Sequence, residues 1–395
     1  MATTNQIYTI LNSVNAQANT GANLVKTSTD FISYGETISS LSDVGKETWF
    51  AALMDRIGQT IIDNRAYTAK TVTPLFKTPF EYGSILQKLH SKNLTASEDK
   101  AWSDPSQVST DPMAPVVHPV EQRLYTKQSV WQIKDTIPDV QLKTAFTSEE
   151  RMAAFLSSLM LTTQNSIERS MENLANITRS SLIAKTYLAG GAKVVKLVTA
   201  YNTAMGLTSS DPGYLTPSDE SVLYNRDFLR FASLQIALAI DRVQHMSEIF
   251  SKQYYERFTD REYLQFSVLG VFDDAVSSYL ASDTYHEKLV ELPSENKYIA
   301  PFWQATGSNY AFGTASKVNL ELKPESSAGA GDDIKLEKAG IVALINDSEA
   351  AGITLDERRV RSIYNPELEC TNYFHKARER WYVDDTQNAI VFTIE

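Results

Sequence analysis

Residues 147–188, TSEERMAAFLSSLMLTTQNSIERSMENLANITRSSLIAKTYL, contain neither proline nor glycine and are rich in good helix formers. Thr147 with Glu150 fits a capping box. Apolar side chains at Met152, Phe155, Leu156, Leu159, Ile167, Met171, Leu174 and Leu182 follow helical spacing, with a polar break over Thr162–Asn165. Gly190 and Gly191 then supply a stop. A helix of about 40 residues is about 60 Å long. A compact chain of this length has a diameter of roughly 55 Å, so the helix must cross the whole molecule. It is either a coiled-coil strand or the spine of a flat, elongated subunit. The apolar stripe is not sustained at heptad positions and charges are sparse beside it, so we read a spine.

The 395 residues suit two or three lobes, and the apolar content suffices for a sizeable core. A net charge of -11 excludes a mainly electrostatic nucleic-acid binder, although a local basic face remains compatible with it. The single cysteine, Cys370, excludes an internal disulfide framework. The first residues lack the basic and apolar regions of a secretion signal, and no apolar run is long enough for a membrane span. The expected setting is a cytoplasm.

Residues 1 to about 48 are rich in Ser, Thr, Asn and Ala with scattered apolar positions. They read either as an arm that finds its structure on a neighbour or on the body of the fold, or as a frayed terminus. A short helix is expected over Trp49–Met54 and a strand over Ile57–Tyr67. Between positions 74 and 138 seven prolines forbid a long helix. The flanks of this stretch alternate, with Phe80, Tyr82 and Ile85 on one side and Leu124, Tyr125, Val130, Trp131 and Ile133 on the other. Its middle, Lys92–Ala114, is polar. This predicts a long hairpin-like excursion that packs on another subunit, in preference to a folded-back surface loop.

Beyond the spine we expect a strand over Lys193–Thr199, a loop over Gly206–Glu220, and a second helix over Arg226–Phe250 carrying Phe228, Phe231, Leu234, Ala237, Leu238, Val243, Met246 and Phe250 on its apolar face. Tyr263–Val271 and Ala339–Ile345 read as buried strands, and Asp273-Asp274 as the opening of a helix. Val360–Tyr364 reads as a strand, and Glu325–Asp333 as a flexible tip. Asn372–Val383, the Asp384-Asp385 turn and Asn388–Ile394 read as a β-hairpin whose second strand inserts into a sheet formed by earlier segments.

Motifs for phosphate loops, dinucleotide folds, serine hydrolases and zinc proteases are absent from the sequence. The five histidines lack metal-ligand spacing. Cys370 and His375 lie on opposite faces of a strand by alternation, so Cys370 reads as a buried structural thiol. The acid pairs have structural explanations at helix starts and turns. We therefore expect no catalytic residue, cofactor or metal. Arg358, Arg359 and Arg361 form a cationic run, read as an ion-pairing contact surface in preference to a phosphate site. Trp102 and Trp131 read as contact anchors, aromatics being enriched at interfaces. With Phe80 and Tyr82 these five are the candidate intersubunit contacts.

The order of elements resembles the major capsid proteins of tailed bacteriophages, the Hong Kong 97-like fold, and is most similar to those of short-tailed podophages. ALMDRIGQTII (Ala52–Ile62), LKTAF (Leu142–Phe146), IVALINDSEAAGI (Ile341–Ile353), RSIYNPE (Arg361–Glu367), YFHKARERWYVDD (Tyr373–Asp385) and NAIVF (Asn388–Phe392) carry the resemblance. It implies an α+β fold: an N-terminal arm and entry strand over 1–62, an extended β-hairpin loop over 63–140, a peripheral lobe with the spine helix over 141–207, an axial lobe over 208–336, and a return to the peripheral lobe over 337–395.

The resemblance further implies a shell protein, not an enzyme. Hexamers and pentamers would build an icosahedral or prolate head around double-stranded DNA in a bacterial host's cytoplasm. A scaffolding protein, a portal and a decoration protein are the implied partners, with no membrane. The acidic balance is expected to limit adhesion of the inner wall to packaged DNA. The alternatives are a cellular nanocompartment shell of the same fold, a cytoplasmic enzyme with an unrecognised site, and a tail or baseplate component.

Overall fold

A computed structural model describes residues 4–18, 22–41, 86–91, 120–125, 128–139, 149–251, 256–281, 296–301, 318–322 and 334–395, with 45, 48, 49, 52, 75, 93, 94, 96, 113 and 303 between them. The Thr147 cap, the Ile57–Tyr67 strand, most of the excursion's tip, Phe80, Tyr82, Trp102 and the 325–333 tip lie outside these residues.

The chain begins with two helices, α1 (Thr4–Ala18) and α2 (Ser28–Ser39). Thr27 caps α2, accepting from the Asp30 N–H while the Asp30 carboxylate accepts from the Thr27 N–H. Leu11, Val14, Phe31, Tyr34 and Trp49 are buried, and the Trp49 indole N–H donates to Tyr34 Oη at 2.8 Å. Burial pushes the Tyr34 phenol up to about 12. Asn12 ties α1 to the next segment, bonding both the N–H and the carbonyl of Val25. Instead of a frayed terminus, this region has a small core of its own, and α1 packs along the spine.

The strands follow in order. β1 (Leu86–Ser91) and β2 (Val120–Tyr125) form an antiparallel pair. β3 (Gln128–Pro138) joins a separate sheet. The spine helix runs over Glu149–Ala189, and Gly190 and Gly191, both at positive φ, end it. The expected strand at Lys193–Thr199 is shorter than its apolar run: β4 is Val194–Lys196, and Leu197–Ala204 is a helix. Helix Arg226–Val243 is capped by Asn225. β5 (Leu264–Leu269), helix Gly270–Ala281, β6 (Lys297–Ala300), β7 (Val318–Leu322), β8 (Ile334–Lys338), β9 (Ile341–Asp347), β10 (Ala351–Asn365), β11 (Cys370–Val383) and β12 (Ala389–Thr393) complete the chain.

The expected C-terminal hairpin does not form. β11 pairs with β10 and β3, whereas β12 lies between β4 and β9 in a five-stranded sheet ordered β4-β12-β9-β5-β6. The Asp384-Asp385 turn carries the chain from one sheet to the other. The insertion of β12 into earlier segments holds, and every residue of β12 is buried, the mark of a strand covered on both faces. Its alternation divides two cores. Ile390 and Phe392 pack with Phe228, Ile236 and Phe272 on one side. Ala389 and Val391 face Leu174, Leu182 and Ile183 of the spine on the other. Burial of each of the larger side chains, Ile390, Val391 and Phe392, contributes about 1.5–3 kcal/mol.

The same sheet joins distant segments of the chain. It takes β5 and β6 from the segment assigned to an axial lobe, and β4, β9 and β12 from segments assigned to the peripheral one. Strands from either side of positions 208 and 336 are thus neighbours in one sheet. Helix Arg226–Val243 is also rotated from its expected orientation. Its buried face is Phe228, Leu229, Ala232, Ile236, Ala239, Ile240 and Val243, while Leu234 and Leu238 are exposed. The helix stops at Val243, and Ser247 instead bridges Arg257.

The C-terminal half of the spine is enclosed nearly all round, and small polar residues make this possible. Thr178, Ser180 and Ser181 are buried, and the Thr178 hydroxyl donates to the Leu174 carbonyl. Arg179 is buried with its guanidinium 3.9 Å from the centre of the Tyr298 ring, and burial lowers it to about 10.

Candidate assembly surfaces

The hairpin β1–β2 has its polarity reversed with respect to the protein body. Alternation sends Lys88 and His90 of β1, and Arg123 and Tyr125 of β2, inward. There they meet the turn after β11. Lys88 Nζ donates to the Glu349 carbonyl at 2.6 Å and to Asp384 Oδ2 at 3.3 Å, and sits 4.5 Å from the Tyr382 ring centre. Arg123 Nη1 donates to Asp385 Oδ1 at 2.9 Å. Asp384 is fully buried and also accepts from the Thr386 N–H and hydroxyl. His90 Nδ1 faces Arg257 Nη2 at 2.5 Å, and its Nε2 lies 3.3 Å from the Thr386 hydroxyl and 3.7 Å from Asp384 Oδ2.

The junction sets its own charge states. Burial holds His90 below the usual imidazole range, outweighing the pull of Asp384, and Arg257 adds to the lowering. Burial raises Asp384, but Lys88 and the Thr386 hydrogen bonds more than offset it, so the carboxyl titrates below its ordinary value. A neutral His90 accepts from Arg257 at Nδ1 and donates from Nε2.

The outward face of the hairpin carries Leu89, Val120 and Leu124, which are 65%, 61% and 55% exposed. Exposed Gln87, Ser91 and Gln122 alternate with them, so the ribbon turns its charges toward its own subunit and three large apolar side chains toward solvent, against the usual pattern for a sheet with one solvated face.

Of the sequence-derived contact candidates, Trp131 is buried in its own chain, with its indole N–H donating to Glu379 Oε2 at 3.1 Å. Little of its surface is left for a neighbour. Arg358 turns inward, its Nη2 reaching Met171 Sδ at 2.9 Å and lying 3.8 Å from Glu379 Oε1. Arg359 is exposed and pairs with Glu357, and Arg361 is exposed. The run therefore divides by strand alternation. Sequence reading missed Lys88, His90, Arg257 and Asp384 as a unit. Its only signal was the Asp384-Asp385 pair, which alone reads as a turn.

Other features are structural. Glu395 accepts from Tyr187 Oη and pairs with Lys196 and Lys338. A cleft of about 550 Å³ beside β4 is lined mainly by apolar side chains, with Arg242 and His245 as its ionisable groups and no carboxylate. Among the described residues no group of three or more His, Cys, Asp or Glu is placed to hold a metal ion, and no helix is long and apolar enough to cross a membrane.

The architecture is a layered α+β subunit with a 41-residue helix, an interwoven central sheet and a two-stranded ribbon fastened beside it. The Phi29-like phage major capsid protein family model matches residues 9–393, and the chain belongs to that family. The fold is similar to the capsid structure of Staphylococcus phage Andhra, at 11% identity and a TM-score of 0.51 over 84% of each chain. It is also similar to the structure of head fiber and inner core protein gp22 of native bacteriophage P68, at 9% identity and a TM-score of 0.51 over 81% of this chain and 83% of that one. No curated protein sequence matches. The protein is a shell-forming subunit of a phage head, and the nanocompartment alternative is not favoured.

Proposed function

We propose that the subunit assembles into hexamers and pentamers that close an icosahedral or prolate head around double-stranded DNA, as a purely structural component without catalytic activity. The observation that carries this reading is the inverted hairpin. Lys88, His90 and Arg123 fasten its inner face to the parent subunit, while Leu89, Val120 and Leu124 await apolar cover. A neighbouring copy supplies that cover, in a head-to-tail contact that repeats around a ring. Many such contacts per subunit make the shell stable even where each is modest.

In this reading the intersubunit contacts of Phe80, Tyr82 and Trp102 fall on the same excursion. A separate scaffolding protein directs closure, a portal occupies one vertex and a decoration protein binds the finished shell. Assembly takes place in the host cytoplasm. The test is negative-stain electron microscopy of the protein expressed alone and with candidate scaffolds from neighbouring reading frames. Closed shells of uniform diameter are expected. A monodisperse monomer or small oligomer in both preparations would overturn the proposal.

A further inference from the structure

The three-stranded sheet β10-β11-β3 has two unlike faces. One is buried, carrying Trp131, Tyr373, Ala377 and Glu379, and β10 and β11 lie against the spine. The other is open to solvent, and register sets its content. One cross-strand row is Arg361, Phe374 and Lys134, and the next is Arg359, Lys376 and Gln132. A third places Glu357, Arg378 and Val130 side by side, and Arg380 lies two residues further along β11 beside Gln128. The bulge at Leu355/Glu357 brings in Asp356, which pairs with both Arg378 and Arg380, while Glu357 pairs with Arg359 and Arg378.

Six cations and two carboxylates leave an excess of four positive charges on one sheet face of a chain whose net charge is -11. Lys134, Lys376 and Arg361 make no ion pair among the described residues. The two lysines flank Phe374, each with its Nζ 6.0 Å from the ring centre. Arg359 and Lys376 stand directly opposite each other. Like charges in that position destabilise a sheet. Glu357 pairs with Arg359, but among the described residues no carboxylate pairs with Lys376, which an external anion would neutralise.

We infer that this face contacts the phosphate backbone of double-helical nucleic acid without reading its sequence. The inference rests on the shell function, which brings such a polymer against the protein, and adds the surface that meets it. Composition decides between nucleic acid and a second protein copy. Protein interfaces have cores depleted of charge, whereas nucleic-acid interfaces are strongly positive and polar. Beside its cations this face carries Gln128, Gln132, Thr136 and Asn372, all of them phosphate-contacting types, and three apolar side chains, Val130, Ile363 and Phe374. Alternate residues on β11 place Lys376, Arg378 and Arg380 about 6.6 Å apart along a straight line, a flat cationic track. The acidic whole-chain balance thus conceals a local surface of opposite sign.

The test uses the purified full chain and fluorescein-labelled 30-base-pair duplexes of two unrelated sequences, read by fluorescence anisotropy across a salt series. The wild-type protein is expected to bind both duplexes equally, with affinity falling steeply as salt rises. Combined Lys134→Gln, Arg361→Gln and Lys376→Gln replacements are expected to weaken binding by about tenfold or more and to reduce the log–log salt slope by about 2–3. These side chains are exposed and unpaired, so the melting temperature should hold. Should the triple variant fold poorly, Lys134→Gln alone is expected to lower the slope by about 1. No binding by the wild type at low salt, or unchanged affinity in the variants, overturns the inference. Loss of shells by electron microscopy with DNA affinity intact also overturns it, assigning the face to a second copy of the chain. The binding readout does not require closed shells, so failure of the shell reading is seen separately.

Discussion

Lys88 Nζ lies 3.3 Å from Asp384 Oδ2, joining the β1–β2 hairpin to the turn that hands the chain from β11 to β12. The lysine side chain is 13% exposed and the aspartate is fully buried. Asp384 serves four partners at once, because His90 and Thr386 share it and its own N–H donates to the Ala350 carbonyl. The hairpin's base is thereby part of the subunit's interior.

Asp384→Ala should cost about 3–5 kcal/mol, since it strands a buried ammonium and the Thr386 donors. Urea unfolding of the unassembled subunit measures this. Thr386→Val, which keeps the charge pair, should cost about 1 kcal/mol. Equal effects of the two would show that the ion pair is not the fastening element.

Acid should loosen the subunit through His90 and His375. Burial holds both below the free imidazole value of 6.5, with Arg257 adding to the effect at His90 and Asp135 opposing it at His375. The unfolded chain therefore takes up protons that the folded one refuses. Their contribution is complete above about pH 6.5 and is lost as pH falls from there toward the lower folded values. Melting temperatures should drop between pH 7.5 and 5, and His90→Gln should flatten that slope. A steeper slope in the variant would contradict the assignment.

Leu89→Glu with Leu124→Glu should abolish or greatly slow shell formation. Both side chains are more than half exposed, so the unassembled subunit should keep its stability within about 0.5 kcal/mol. Sedimentation velocity separates the two readouts, and normal shells from this variant would remove the hairpin's outer face from the assembly contact.

Ile236→Ala should cost about 2–5 kcal/mol and Leu234→Ala no more than about 0.5 kcal/mol. Ile236 is fully buried and Leu234 is 55% exposed. Chemical denaturation of the two variants distinguishes the observed helix orientation from the one that hydropathy alone implies.

That helix shows where sequence was informative and where it was not. Its existence was legible, but two apolar faces compete on Arg226–Val243, and periodicity cannot say which one the sheet covers. The spine was legible because an unbroken helix ended by Gly190-Gly191 admits one reading. Its buried Thr178–Ser181 run was not, since small polar residues enter a core only when neighbours close around them. β12 announced itself as a wholly apolar strand, while its partners did not. A turn such as Asp384-Asp385 looks the same whether it closes a hairpin or crosses between sheets. The divided Arg358–Arg361 run became visible only once the register of β10 was known. The inverted hairpin was half legible: alternation marked its strands, but nothing local showed which face belonged to the parent subunit.

The threading of the five-stranded sheet also imposes an order in time. Val391 is bonded alongside Val194 on one flank and Leu344 on the other. Contacts so distant along the chain form slowly, because the intervening loops must close before any contact rewards them. Until residues 389–393 arrive, β4 and β9 lack their common neighbour and the apolar interior on both sides of it stays open. A half-made polypeptide is therefore a poor recruit for a growing lattice, and the weave acts as a maturity check that each building block must pass before it can join.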